Sequence, residues 1–471
     1  MPDDDCTPLR NLPSIGSLLE DPQVRTLAGG VPKGVLVELL RQAVGVVRGH
    51  VRRGACGSAG PEVLRAAVLE ELATSVRQFT RPHYRRVINA TGIVLHTGLG
   101  RAVLPPAAHR QIQEQLGGYS LLQVDIGTGE RSRRDGRIEE LLRQLTGAPA
   151  ATVVNNNAAA TFLVLATVAR GREVIVSRGQ LVEIGGSFRL PEVMAQSGAR
   201  LVEVGTTNRT HPADYERAIT DQTAAILRVH PSNYRIRGFT AEVPLRELVE
   251  IAHRRGLLLI DDVGAGALVD FSRFGFEPEP TLPEAIAAGA DLVTASADKL
   301  IGGPQGGLIL GREDLIQAVR KNPLARMVRV DKLTLAALEA TLVLFLDEAV
   351  ALAEVPTLRM LHRKVEELAR QAERIAQAIA QQVPEAQVEV VEGFSQMGSG
   401  SLPGQDLPTR LVALASPGQH SGRLAARLRQ HEPPVFARVH RERVLLDPRT
   451  VMEGEEGLLI EACVAALRLP P

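Results

Sequence analysis

The chain has 471 residues, of which 44% are apolar. That length exceeds one typical domain and can bury a large core, which excludes a disordered chain and predicts two or three domains. Lys plus Arg and Asp plus Glu both total 54, so the formal net charge is zero. The composition is therefore not strongly basic and gives no sign of a general nucleic-acid-binding protein. Any basic surface must be local.

The three cysteines, Cys6, Cys56 and Cys463, are far apart and form no CxxC pair. This spacing argues against a disulfide framework and against a zinc site, and it fits a reducing compartment. The first residues are acidic where a signal peptide would be basic, and the longest apolar stretch, 158–169, falls well short of the roughly 18 residues of a membrane span. We therefore expect a cytoplasmic protein without a metal site.

Residues 1–82 are predicted to form a helical N-terminal domain. Apolar residues at three- and four-residue spacing predict helices over 35–51 and 61–79, with a glycine-rich loop between them. From 83 to 330, short apolar runs alternate with helical patterns, which predicts a large domain with a mostly parallel sheet covered by helices. Its strands are expected at 150–154, 173–177, 200–204, 224–229, 257–261, 291–295 and 306–310.

Residues 331–471 are predicted to form a smaller C-terminal α/β domain. It begins with two long helices, over roughly 331–352 and 357–382. The stretch Gly393–Pro408 is low in complexity and rich in glycine, so we expect a loop that is mobile or faces a ligand. Strands are expected at 387–391, 410–415, 435–439 and 442–447, with one helix among them and one after them.

Several common motifs are absent from the sequence. No lysine follows a glycine, which excludes a P-loop. Residues 98–100 and 264–266 each begin a GxGxxG dinucleotide fingerprint, but a valine stands at the third small position. There is no HExxH and no GxSxG motif either, which argues against a zinc protease and an α/β-hydrolase nucleophile.

Lys299 is one of only five lysines in a chain whose other basic residues are arginines. It follows an apolar strand that ends in small residues, and a glycine-rich turn comes after it. A lysine in such a setting is partly desolvated, which lowers its pKa and lets it act as an imine-forming nucleophile and a base. Pyridoxal phosphate chemistry requires such a lysine. The alternative is an ordinary surface lysine in a loop.

Two further segments supply what that cofactor needs. Asp262, with Asp261 as the second candidate, ends a buried-type strand and can pair with the protonated pyridine nitrogen, although a capping carboxylate is the alternative. Three consecutive asparagines lead from a strand into a small-residue helix, whose first amides and positive dipole end suit a phosphate. The residues expected to hold the phosphate are Asn156, Asn157, Ala158 and Ser296.

The order of asparagine run, aspartate and lysine matches the aspartate-aminotransferase-like fold, fold type I of the pyridoxal phosphate enzymes. At these segments the chain resembles the bacterial selenocysteine synthases, the L-seryl-tRNA(Sec) selenium transferases. Matching segments between residues 86 and 329 include RVINATGIVLHTGLGRAVL, VEVGTTNRT, DDVGAGALVD and ADKLIGGPQGG. The first 80 residues resemble that family's N-terminal tRNA-binding domain by pattern.

The resemblance implies an enzyme that converts L-seryl-tRNA(Sec) to L-selenocysteinyl-tRNA(Sec) with selenophosphate, through an aminoacrylyl intermediate bound to pyridoxal phosphate. Lys299 is implied to hold the cofactor as an aldimine, and Asp298 matches the family's essential acidic neighbour. Arg101, Arg326 and Arg329 match arginines that bind the selenium donor, and guanidinium groups suit such an oxyanion. The family also implies a homo-oligomer, either a dimer or a ring of dimers.

Two other functions stay open at this stage, because residues 1–86 carry only twelve Lys and Arg against nine Asp and Glu. One is a related lyase that acts on a small phosphorylated amino sugar or amino acid, although such relatives tend to lack the N-terminal helices. The other is a non-catalytic RNA-binding or scaffold protein, against which Lys299 and Asp262 argue. For the residue that stacks on the cofactor ring, the sequence does not select between Gln180 and Glu183.

Overall fold

The computed structural model describes residues 7–53, 59–186 and 188–469. By its contacts the chain divides into two compact units, Met1–Arg86 and Val87–Pro471. The domain boundaries predicted after residues 82 and 330 stay predictions, since the second unit is not divided further.

Of the three cysteines, Cys6 and Cys56 lie outside the described residues, whereas Cys463 is buried and forms no disulfide. Within the described ranges, no helix combines the length and the apolar character needed to cross a membrane. The same part of the chain holds no group of His, Cys, Asp or Glu that could bind a metal ion.

The first unit is helical, as predicted. Leu40, Leu64 and Leu72 are fully buried where the two long helices, α4 (Lys33–Arg52) and α5 (Pro61–Thr80), pack together. Asp21 caps a short helix and also forms an ion pair with Arg65, at 2.6 Å. The helices of this unit are α1 (Thr7–Arg10), α2 (Ile15–Glu20), α3 (Pro22–Ala28), α4 (Lys33–Arg52) and α5 (Pro61–Thr80).

The second unit contains a seven-stranded sheet, a five-stranded sheet and a two-stranded ribbon. The strands are β1 (Ile88–Ala90), β2 (Ala150–Val154), β3 (Glu173–Ser177), β4 (Glu183–Ile184), β5 (Phe188–Arg189), β6 (Arg200–Val204), β7 (Thr223–Val229), β8 (Leu258–Gly264), β9 (Leu292–Ser296), β10 (Gly307–Gly311), β11 (Gln387–Gln396), β12 (Asp406–Ala415), β13 (Val435–His440) and β14 (Arg443–Leu446).

Most helices of the second unit cover the faces of the two larger sheets. They are α6 (Pro106–Gln115), α7 (Gly136–Thr146), α8 (Asn157–Val168), α9 (Leu190–Ser197), α10 (Pro212–Ala218), α11 (Leu245–Arg254), α12 (Leu282–Ala287), α13 (Glu313–Lys321), α14 (Lys332–Leu344), α15 (Glu348–Glu354), α16 (Pro356–His362), α17 (Val365–Gln382), α18 (Ser421–Gln430) and α19 (Glu456–Arg468).

The seven-stranded sheet runs in the order β2-β10-β9-β8-β7-β3-β6, and β10 alone is antiparallel to its neighbours. Its strands are apolar and mostly buried on both faces, as a parallel sheet between two helical layers requires. Helices α8, α9 and α13 pack on one face, while α7, α11 and α14 pack on the other. The predicted mostly parallel sheet is confirmed, and each predicted strand lies within three residues of its observed bounds.

The five-stranded sheet runs in the order β1-β13-β14-β12-β11 and has its own core against α17, α18 and α19. Strand β1 lies far from the others in sequence, yet it pairs in parallel with β13. The first strand after the N-terminal unit therefore joins the smaller sheet, although the prediction placed its residues in the large domain.

Two local predictions differ from the structure. Four shorter helices stand where two long helices were expected after residue 331, because Asp347 caps a new helix, α15, and Pro356 begins α16. The loop expected over Gly393–Pro408 is shorter, since β11 runs to Gln396 and β12 begins at Asp406. Gly393 lies inside β11, where a Cβ would be only 2.4 Å from a Leu411 methyl carbon, so close packing explains this glycine.

Candidate active site

The carboxyl ends of β2, β7, β8 and β9 meet at one edge of the large sheet, because these strands run parallel. A cavity of about 290 Å³ opens there. Ligand sites of open α/β sheets lie at such an edge. Eight of the residues singled out in the sequence line the cavity: Arg101, Asn156, Asn157, Ala158, Asp262, Ser296, Asp298 and Lys299.

Lys299 follows β9 and is only 5% exposed. Burial lowers the pKa of its amine, the charge of Arg101 lowers it further, and the charges of Asp298 and Asp262 oppose this shift. No described residue forms a hydrogen bond or an ion pair with the amine. A buried amine with a lowered pKa and no fixed partner can attack a carbonyl carbon and accept a proton.

Asp298 precedes that lysine and contacts a residue from a distant loop. Its Oδ2 accepts a hydrogen bond from Nη1 of Arg101, at 2.8 Å. Arg101 adopts a left-handed backbone conformation, with φ of 64°. The ion pair therefore brings a guanidinium group into the Lys299 cavity.

Asp262 lines the cavity, and three donors hold its carboxylate. Asn157 Nδ2 and the backbone N of Gly264 donate to Oδ1 at 2.9 and 3.1 Å, and Thr161 Oγ1 donates to Oδ2 at 3.1 Å. Burial raises the pKa of Asp262, and the side chains of Asn157 and Thr161, with the nearby Thr294 hydroxyl, oppose the shift. A buried carboxylate of this kind is suited to a cationic ligand atom.

Asp261 does not line the cavity. It is fully buried, its Oδ1 accepts from Arg228 Nη1 at 2.9 Å, and its Oδ2 has no hydrogen-bond partner among the residues that the structure describes. Successive residues of a strand point to opposite faces, which explains why two adjacent aspartates differ in this way. Of the two candidates, the structure brings Asp262 to Lys299.

The asparagine run forms the N-terminus of α8 at the cavity wall. Asn156 is the N-cap, and its side chain accepts from the backbone N of Ala159 at 2.9 Å. Asn157 Oδ1 is buried and has no hydrogen-bond partner in the described part of the chain. Gly307 of β10 passes so close that a Cβ there would be 2.1 Å from the backbone oxygen of Asn156. Free amides at the start of α8 and an unpaired amide oxygen are thus available to a ligand.

Arg326 and Arg329 lie elsewhere. They line a separate cavity of about 230 Å³, together with Arg134. Burial lowers the pKa of Arg134, and the charges of Arg329 and Arg326 lower it further, so positive charge is concentrated in this cavity. Within one chain, the structure brings only Arg101 of the three predicted donor-binding arginines to Lys299.

Neither candidate for the stacking residue lines the Lys299 cavity. Gln180 is buried and its Oε1 accepts from the backbone N of Val229, while Glu183 pairs with Arg189 at the surface. The cavity wall also holds His230, which the sequence analysis missed. It directly follows an apolar strand, and that signal would have selected it.

A model of the L-seryl-tRNA selenium transferase family matches residues 87–452. This chain belongs to that family. A second model, described as selenocysteine synthase N terminal, matches residues 9–48. Each of the two compact units therefore has a family match of its own.

Relatives match along almost the whole chain. An L-seryl-tRNA(Sec) selenium transferase of Alkaliphilus metalliredigens is 44% identical over 96% of this chain and 97% of its own length. One of Nitratidesulfovibrio vulgaris is 47% identical over 98% of this chain and 99% of its own length. Among solved structures, D-glucosaminate-6-phosphate ammonia-lyase covers 83% of this chain and 98% of its own, with a TM-score of 0.56 and 23% identity.

These findings confirm the predicted family and its enzymatic character, and the two sheets covered by helices confirm the predicted α/β class. The aspartate-aminotransferase type of the fold stays a prediction. The site of this family member also fits pyridoxal phosphate. Lys299 is a buried amine without a partner among the described residues, Asp262 is a buried carboxylate, and the start of α8 offers free backbone amides. These are the groups that the aldehyde, the pyridine nitrogen and the phosphate of that cofactor require.

Proposed function

We propose that this protein converts L-seryl-tRNA(Sec) to L-selenocysteinyl-tRNA(Sec), with pyridoxal phosphate as cofactor and selenophosphate as selenium donor. The observation that carries the proposal is the family match over residues 87–452. The matched segment contains Lys299, Asp262 and the asparagine run, which line one cavity. The cytoplasmic location expected from the cysteine spacing and the first residues stays a prediction.

Pyridoxal phosphate, when bound, supplies an electron sink for the bonds of the substrate's Cα. Lys299 would hold the cofactor, and its amine would remove the Cα proton of the substrate and later return it. Asp262 would hold the proton of the pyridine nitrogen. Asn156, Asn157 and Ala158 would bind the phosphate, with the hydroxyl of Ser296 beside them.

Asp298 would keep Arg101 in position through their 2.8 Å ion pair. This role makes Asp298 a positioning residue, and Arg101 would then bind the selenium donor close to Lys299. Guanidinium groups bind phosphate-like oxyanions in a bidentate way. The pairing supports the role that the family resemblance implies for both residues.

Arg326 and Arg329 would bind the donor from a second subunit. Their cavity is separate from the Lys299 cavity of the same chain, and it concentrates positive charge. We therefore propose a homo-oligomer, a dimer or a ring of dimers, in which neighbouring subunits complete the donor site. Sedimentation of the cofactor-loaded protein would test the subunit number, and a monomer with full activity would contradict this part of the proposal.

The helical first unit would bind the tRNA. Its family match over 9–48 supports this role, since an enzyme acting on the end of a tRNA must hold the RNA far from the reaction centre. Deleting residues 1–80 should leave the visible absorption of the Lys299 site intact and abolish binding of seryl-tRNA(Sec) at moderate salt. If the truncated protein binds and converts this substrate like the intact one, the tRNA role is wrong.

The alternative is a lyase for a small phosphorylated amino sugar or amino acid. The likeness to D-glucosaminate-6-phosphate ammonia-lyase, at 23% identity, concerns the fold only. The decisive experiment incubates the purified, cofactor-loaded protein with seryl-tRNA(Sec) and selenophosphate and analyses the aminoacyl group. A parallel incubation with D-glucosaminate 6-phosphate should release no ammonia. Ammonia release without selenocysteinyl-tRNA(Sec) would replace the proposal by the alternative.

A further inference from the structure

His230 occupies a position in the Lys299 cavity that the roles above leave unused. It follows β7 directly, and its backbone N donates to the backbone oxygen of Asp262 at 2.9 Å. It lines the cavity together with Asp298 and Lys299, and its side chain is 18% exposed. His230 therefore belongs to the same cavity as the groups that would act on the substrate's Cα.

The imidazole is held by a buried carboxylate. Nε2 of His230 lies 2.7 Å from Oε2 of Glu279, whose side chain is only 4% exposed. Arg235 binds the other oxygen of Glu279 at 2.9 Å and also pairs with Glu277. Because a carboxylate only accepts, this contact places a proton on Nε2 and leaves Nδ1 to gain or lose one.

Nδ1 of His230 is available for that exchange. It forms no hydrogen bond with a described residue, and it is not among the buried unpaired atoms of the described chain. Ser232, two residues further on, also lines the cavity, and its buried Oγ has no hydrogen-bond partner among the described residues. A hydroxyl of this kind in the same cavity as His230 is available to a polar group of a ligand.

The reaction requires an acid that no assigned residue supplies. A hydroxide ion is a poor leaving group, so the seryl β-oxygen needs a proton as its bond to Cβ breaks. Lys299 would be accepting the Cα proton at that stage, and one oxygen of Asp298 is occupied by Arg101. Of the groups at the cavity, His230 combines an accessible nitrogen with a carboxylate that orients it.

We propose, on the basis of the proposed function, that His230 is the general acid that protonates the departing seryl hydroxyl, and that Glu279 positions it. Lys299 takes the Cα proton, and the electron pair of the Cα–H bond forms the Cα–Cβ double bond. The Cβ–O bond breaks, the oxygen receives the proton from Nδ1 of His230, and water leaves. Solvent then returns a proton to Nδ1.

Two measurements on the cofactor-loaded enzyme separate this role from a structural one. The first is incorporation of solvent deuterium at Cα of serine recovered from seryl-tRNA(Sec), which reports Cα deprotonation. The second is single-turnover formation of selenocysteinyl-tRNA(Sec). In His230→Gln, deuterium incorporation should stay within about threefold of wild type, while conversion should fall by about 100-fold or more.

A matched control is available in His253. Its Nε2 pairs with Asp291 Oδ2 at 2.9 Å, a pair of the same kind, but it lies on α11 outside the cavity. His253→Gln should leave both measurements unchanged. Glu279→Gln should lower conversion by about tenfold and leave deuterium incorporation intact, which tests the assignment even if His230→Gln does not fold.

An equal loss of deuterium incorporation and conversion in His230→Gln would overturn the inference, as would unchanged conversion. If His230→Gln does not fold, unchanged conversion in Glu279→Gln would overturn it. Failure of the wild-type enzyme to convert seryl-tRNA(Sec) is a different result, since it would remove the proposed function and the inference with it.

Discussion

Asp262→Asn should remove the charge of the cavity carboxylate and keep its hydrogen bonds. The amide oxygen can take the place of Oδ1 and accept from Asn157 and Gly264. The amide nitrogen can donate to Thr161 Oγ1, whose own proton, which points to Asp262 Oδ2 in the wild type, can then turn to the backbone oxygen of Asn157, 3.1 Å away. The variant should therefore fold and bind the cofactor, which makes the loss of charge the main change.

The expected loss of activity follows from the ion pair that Asp262 would form with the pyridine nitrogen. Two unit charges about 4 Å apart attract by ~4 kcal/mol at an effective dielectric constant of about 20. Since each 1.36 kcal/mol corresponds to a factor of ten in rate, kcat/KM for selenocysteinyl-tRNA(Sec) formation should fall by about 10³-fold. Deuterium exchange at Cα should fall with it, because this charge assists deprotonation.

The cofactor-free protein should change in the opposite direction. Burial raises the pKa of Asp262 above 3.8. Between 3.8 and the raised pKa, the folded chain binds more protons than the unfolded chain, so the folded state loses stability as the pH rises through this interval. The Asn variant does not ionise and therefore lacks this loss of stability. Its melting temperature should exceed that of wild type at pH 7, and the difference should shrink towards pH 4.

Asp261→Asn is the matched control, since it removes a neighbouring carboxylate that pairs with Arg228 outside the cavity. It should change kcat/KM by no more than about threefold. Full activity in Asp262→Asn, or a 10³-fold loss in Asp261→Asn, would refute the assignment of the cofactor-binding carboxylate.

Substitutions at three further positions, Lys299, Gly307 and Arg326, test other parts of the site. Lys299→Ala should abolish both the visible absorption of the bound cofactor and turnover; an unchanged spectrum would contradict the assignment. Because burial lowers the pKa of Lys299 below 10.5, Lys299→Met should raise the melting temperature of the cofactor-free protein at pH 7, with a gain that shrinks as pH approaches 10.5. Gly307→Ala places a Cβ 2.1 Å from the backbone oxygen at the N-cap of α8, so it should weaken pyridoxal phosphate binding by at least about tenfold. Gly136→Ala is the control and should not weaken binding, because a Cβ there meets no atom within 4 Å. Equal affinities of the two variants would exclude a phosphate site at α8. Arg326→Ala should raise KM for selenophosphate by roughly 10- to 100-fold, as expected for the loss of a hydrogen bond to a charged group. The visible absorption of the bound cofactor should not change. A loss of affinity for seryl-tRNA(Sec) instead would assign this arginine to RNA binding.

Local pattern was sufficient for most of the large sheet. Its strands are apolar runs separated by helical patterns, and an apolar run between turn residues can be recognised without tertiary information. The smaller sheet was harder to predict. Gly393 indicates a loop by composition, but it lies within β11 because Leu411 leaves no room for a side chain. That reason exists only once β11 and β12 are paired.

The sequence by itself determined which chemistry gathers at the site. Parallel strands end at the same edge of a sheet, so the asparagine run, Asp262 and Lys299, each at a strand end, were expected to meet there, and they line one cavity. Recognition of the family rests on the same segments.

Only the tertiary structure decided between neighbours and brought distant residues together. Asp261 and Asp262 are equivalent by pattern, and only the packing of β8 decides which of them faces the cavity. The pairing of His230 with Glu279 joins residues 49 positions apart, and the separation of Arg326 from Lys299 places a predicted donor residue in another cavity. Such contacts depend on how the helices and loops pack around the sheet, and no local spacing encodes them.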